Sequence, residues 1–89
     1  MAHLFCELHV RLGLVGLVEA DSYELGLTQG ELAECLGMTA VHANRTLKEL
    51  RLAGLAEFRD GRVVIHDLSR LRAAAKFDPA YLYLEREVR

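Results

Sequence analysis

Val41, Asn44, Arg45 and Lys48 recur at i, i+3, i+4 and i+7, a spacing that places all four on one face of a helix. Their chemistry is that of reading base edges. An arginine can bond bidentately to guanine, an asparagine to adenine, and a valine can touch the thymine methyl; each good bidentate pair gives ~1–3 kcal/mol of discrimination. Lys48, farther along, suits a phosphate, and so does His42 in the first turn, where a merely solvated imidazole fits the spacing equally. A polar helix face is also what plain solvation produces, so the surrounding elements must decide between the two.

Those elements leave clear local signals. Thr28, Gln29, Gly30 and Glu31 fit a capping box, in which the threonine hydroxyl accepts from the third helical amide and the glutamate reaches back. The helix it starts carries Leu32, Ala33 and Leu36 inward and stops at Gly37, where the chain needs positive φ. Thr39 then caps a second helix with Ala43, Leu47 and Leu50 at i, i+4 and i+7, so a helix-turn-helix is expected over about residues 28–53. Residues 56–59 and 62–65 flank Asp60-Gly61, a strong signal for a tight hairpin, here the wing. Before this lie a first helix, expected over residues 2–15 with Leu4, Leu8, Leu12 and Val15 inward and Gly16 as its stop, and a short strand at Tyr23-Glu24-Leu25. After it, Asp67 caps a last helix running to about Ala75. The fold class expected is mainly α with a small β-hairpin wing: a winged helix-turn-helix with a three-helix core and a short antiparallel sheet.

Eighty-nine residues make one domain. With 52% hydrophobic and 27% charged residues and one proline, the chain is expected to fold as a compact globule. The formal net charge of −2 argues mildly against a nucleic-acid binder, so any such affinity must be local. Arg45, Lys48 and Arg51 stand against Glu49, and Arg59, Arg62, Arg70 and Arg72 against Asp60 and Asp67. Thr28, Gln29 and Thr39 at the helix starts, and Arg59 and Arg62 across the wing turn, are then candidates for holding the phosphate backbone without reading sequence.

These residues also resemble the C-terminal winged-helix domain of the Crp/Fnr regulators of bacteria. The resemblance runs through Leu27-Thr28-Gln29, Glu31-Leu32-Ala33, Leu36-Gly37-Met38-Thr39, Val41-His42-Ala43-Asn44-Arg45-Thr46-Leu47, Leu50-Arg51 and Phe77-Asp78-Pro79-Ala80-Tyr81-Leu82. It implies a transcription regulator that reads a palindromic double-stranded DNA operator as a dimer. The base-reading arginine falls on Arg45, a neighbouring base contact on Asn44, and wing contacts on Arg59 and Arg62; RNA polymerase is a partner such a regulator admits. Many members carry glutamate where this chain has Val41, which cannot accept from cytosine, so the usual operator is not implied. Members also precede this domain with a cyclic-nucleotide-type sensor barrel and a long dimerisation helix. Neither is in this sequence, and the isolated domain is expected to be mainly monomeric.

Other chemistries fit the residues less well. His3, Cys6 and His9 recur at threes with Glu7 nearby, but that spacing drifts around a helix and lacks a fourth ligand, so no metal and no cofactor is expected. Cys6 and Cys35 lack a paired spacing and are read as small buried hydrophobes in a reducing cytoplasm. No nucleophile with a base, paired carboxylates or phosphate-cradling glycine loop suggests an enzyme, and no apolar run suggests a membrane segment. Tyr81 and Tyr83 alternate with Leu82 and Leu84, more a docked tail than a stacking platform for single-stranded RNA. The class-distinct alternative to DNA binding is a winged helix used only for protein contacts.

Overall fold

The computed structural model describes residues 1–77. Its elements are α1 (Ala2–Gly13), β1 (Ser22–Glu24), α2 (Gln29–Cys35), α3 (Ala40–Leu52), β2 (Ala56–Arg59), β3 (Arg62–Ile65) and α4 (Leu68–Ala75). The strands form an antiparallel sheet in the order β1-β3-β2, so the wing hairpin takes β1 as its third strand. The order and the types of the elements are those the sequence leads one to expect, and the architecture is a winged helix-turn-helix. The expected tail at 81–84 lies outside the described residues.

The local signals act as read. Thr28 accepts from the Glu31 amide at 3.1 Å and the Glu31 carboxylate accepts from the Thr28 amide at 3.0 Å, completing the capping box. Thr39 accepts from the His42 amide, and Asp67 from the Arg70 amide. Between α2 and α3, Gly37 takes φ 66°, and its amide bonds to Glu34 while that of Met38 bonds to Ala33. This pair of bonds satisfies the last carbonyls of α2 and turns the chain within a few residues.

The Glu31 carboxyl is held below its ordinary value of 4.5 by hydrogen bonds to Thr28, and that of Glu57 chiefly by a hydrogen bond to His66. A carboxyl depressed in the folded chain gives stability that is complete above the unfolded value and is lost as pH falls through the folded value. The melting temperature is therefore expected to drop between about pH 6 and 3, and to drop less in Glu31→Gln, which keeps a cap partner but cannot titrate. Thermal melts across that range check both.

The wing turn is closed by Asp60 and Gly61 at φ 52° and 76°, with Arg59 paired to Arg62, the two-residue hairpin whose twist matches its strands. The Gly61 carbonyl also accepts from the Leu25 amide at 2.8 Å and the Gly26 amide at 3.3 Å. The wing tip is thereby tied to the segment that leads into α2. β1 spans Ser22–Glu24, one residue ahead of the span expected, and the Leu25 bond carries its register on to the wing tip. A Cβ on Gly61 would meet the Leu27 carbonyl at 3.5 Å, an ordinary contact, so strain at positive φ sets the cost of a side chain. Gly61→Ala is expected to lower stability by about 1–2 kcal/mol, measurable as a shifted urea midpoint.

The core contains Phe5, Cys6, Val10, Tyr23, Leu32, Leu47, Leu50, Val63, Ile65, Leu71 and Phe77. Alternation in the sheet supplies Tyr23, Ala56, Val63 and Ile65 from one face. The other face carries Ser22, Glu24, Glu57, Arg59, Arg62 and Val64, as the cross-strand pairs Glu24↔Arg62, Arg59↔Arg62 and Glu57↔Val64 require. Two expectations are corrected here. The leucine row of α1 is a shoulder of its buried stripe, since Phe5, Cys6 and Val10 point inward while Leu4, Leu8 and Leu12 only flank the core, and Val15 is 61% exposed beyond the end of the helix. Cys35 is exposed, unlike Cys6, because it follows Leu32 and Ala33 on the outer side of the last turn of α2.

Candidate nucleic-acid interface

α3 buries Ala43, Leu47 and Leu50 against the rest of the domain. What it buries fixes what it shows. Val41, His42, Asn44, Arg45, Lys48 and Arg51 are all exposed, Val41 at 78%. An apolar side chain left so open in the first turn, among polar neighbours, is free to meet a ligand surface.

The exposed polar groups are partly organised. Arg45 Nη2 donates to His42 Nδ1 at 3.3 Å one turn back, and Thr46 Oγ1 donates to the His42 carbonyl. From the first turn of α2, Gln29 Nε2 donates to Asn44 Oδ1 at 3.4 Å. With that oxygen engaged, the Asn44 NH2 group remains as its outward donor.

β2 packs along α3, and between them runs an open cleft lined by Gln29, Asn44, Lys48, Arg51, Glu57 and Arg59 beside Leu47 and Phe58. Lys48, Arg51 and Arg59 make it basic, although the formal charge of the chain is negative. The structure thus brings together four of the residues singled out by spacing: Gln29, Asn44, Lys48 and Arg59. Arg51 joins them at i+7 from Asn44 and i+3 from Lys48, a position that spacing made visible but to which no contact was assigned. Glu57 is the acid of the cleft, and the charge pattern of the sequence had passed over it.

Arg62 stands elsewhere. Its guanidinium donates to Ser22 Oγ at 2.9 Å and lies 3.6 Å from Glu24 Oε1, both on β1, in a depression shared with Gly16, Leu17, Val18 and Glu19. The wing arginines expected to act together share one face of the sheet but turn to opposite edges of it, Arg62 towards β1 and Arg59 along β2 into the cleft. Thr28 and Thr39 are exposed at the starts of α2 and α3, each with its hydroxyl oxygen already accepting a backbone amide, so each retains its proton as a donor.

A family model described as the Crp-like helix-turn-helix domain matches residues 1–74. The chain belongs to this family. The Crp-like domain is accordingly a DNA-binding domain of the kind used in transcription regulation, and its helix-turn-helix is α2, the Gly37 turn and α3. No curated protein and no solved structure gives a significant match. Among the described residues of this Crp-like domain, no group of three or more His, Cys, Asp or Glu is placed to hold a metal ion. His3 instead packs edge-on against Phe77 and His9 bonds to Asp21. Among the same residues, no helix is long and apolar enough to cross a membrane.

Proposed function

We propose that the chain binds double-stranded DNA sequence-specifically, with α3 in the major groove and the β2 side of the wing on the phosphate backbone, as the output domain of a bacterial transcription regulator. The observation that carries this reading is the cleft in which Lys48, Arg51 and Arg59 converge beside the exposed face of α3. Val41, Asn44 and Arg45 are the base readers. Arg45 suits guanine and Val41 the thymine methyl, while Asn44, with its oxygen held by Gln29, suits an acceptor such as guanine O6 or N7 or thymine O4 better than bidentate adenine. Thr28, Gln29, Thr39, His42, Lys48 and Arg59 hold the backbone. Arg62, occupied by Ser22 and Glu24, serves the sheet. A palindromic operator would engage two such domains, one per half-site.

Salt titration of duplex binding, followed by fluorescence anisotropy, tests the reading. Each phosphate contact releases counterions, so the slope of log K against log salt is expected to flatten by about 0.9 in Lys48→Ala and likewise in Arg59→Ala. Arg62→Ala is expected to leave it unchanged. Absence of salt-dependent binding to any duplex would remove DNA as the partner.

A further inference from the structure

A cleft that receives phosphate has no electrostatic use for an acid, yet Glu57 lines it together with Arg51 and Arg59. Its place there is fixed twice over. The backbone sets it in register opposite Val64 on the outward face of the sheet, and His66 Nε2 donates to its Oε2 at 2.9 Å. The other oxygen lies 3.6 Å from Arg59 Nη2, with the Glu57 side chain half-buried and that of Arg59 73% exposed.

These distances decide between two roles. If Glu57 positioned Arg59 for a phosphate, the pair should be short and the arginine ordered against it. At 3.6 Å the contact is an ion pair beyond good hydrogen-bond length, and a long exposed side chain is held only weakly by such a pair. The short bond is the one from His66, and it holds the carboxylate rather than the arginine. The Glu57 carboxyl is kept below its ordinary range by that hydrogen bond first, then by the charges of Arg59, His66 and Arg51, so it meets an approaching duplex as an anion.

We infer that Glu57 is a fixed counter-charge in the DNA cleft, anchored by His66, that restrains backbone binding irrespective of sequence and so leaves discrimination to the α3 face. This rests on the reading of the cleft as a DNA interface. A regulator must leave wrong sites quickly, and a carboxylate set against the phosphates weakens every complex held by charge alone.

The test is Glu57→Gln, which keeps the shape of the side chain and its ability to accept from His66 but removes the charge. With the 89-residue chain and a duplex of random sequence, affinity is expected to rise on the order of 5-fold, the size of one unit-charge interaction across ~4 Å of water. The salt slope should steepen by about 0.9, as for one added cationic contact. Weaker binding by Glu57→Gln would show that Glu57 positions Arg59 instead, and unchanged affinity would show that the carboxylate stays clear of the backbone; either overturns the inference. Failure of the parent chain to bind any duplex is a different result, and it overturns the DNA reading of the cleft itself.

Discussion

Arg45→Ala is expected to lose ~1–3 kcal/mol of discrimination at a single base pair, about 5- to 150-fold, while the remaining positions of the half-site keep their preference. The expectation follows from where Arg45 stands. It is exposed on the outer face of α3, makes no ion pair within 4.0 Å among the described residues, and has only the exposed His42 imidazole as a neighbouring acceptor. Among the described residues its guanidinium meets only that imidazole, and alanine is the best helix former, so the loss is one of recognition rather than of folding. Selection on a randomised half-site gives the answer directly. If the variant selected the parental base at every position, Arg45 would not read a base, and the assignment of α3 to the major groove would lose its main support.

Phe5→Ala is expected to lower stability by about 3–5 kcal/mol, a large part of the ~5–15 kcal/mol that holds a typical domain together. Phe5 is fully buried in the core cluster, on the helix that packs on α4 and touches β1. The Tyr23 hydroxyl, buried so that its proton is held more tightly than usual, donates to the Phe5 carbonyl at 2.7 Å. Removing the ring leaves a cavity where α1, α4 and the sheet meet, and a close-packed interior closes such a space only in part. Tyr23→Phe loses just the hydrogen bond and should cost about 1 kcal/mol. Urea denaturation separates the two. A Phe5→Ala cost no larger than that of Tyr23→Phe would mean that the α1–α4 packing contributes little to the core.

The contrast between what the sequence made legible and what it did not follows the range of the interactions. The Thr28–Glu31 capping box, the Gly37 turn, the Thr39 cap and the Asp60-Gly61 hairpin are each decided within about four residues, and each forms as its residue types require. The inward face of α1 is decided by Tyr23, Leu71 and Phe77, which reach it from far along the chain, so the leucine row alone misplaced it. Pairing of β1 with β3 is equally distant; a strand pattern shows that an edge needs a partner, not which one. The same limit divided the candidate site. The α3 face was visible from helical period alone, whereas the assignment of Arg62 to Ser22 and Glu24 depends on the pairing of β1 with β3, and that of Arg51 and Glu57 to one cleft on how β2 lies against α3.

The bonds from Leu25 and Gly26 to the Gly61 carbonyl have a mechanical meaning. Every residue assigned to DNA, from Thr28 to Arg59, lies between the two ends of that closure, so the reading surface is a loop of chain drawn shut at its neck. α1 and α4, which pack on each other, form the pedestal outside it. Pedestal and loop also share one core, in which Phe5, Val10 and Leu71 cluster with Leu32, Leu47 and Leu50, so a push or a twist on the pedestal is expected to carry the loop with it as a whole. On the proposed reading, base preference would then belong to the loop, and a part attached to the pedestal would change only the direction in which the loop is aimed.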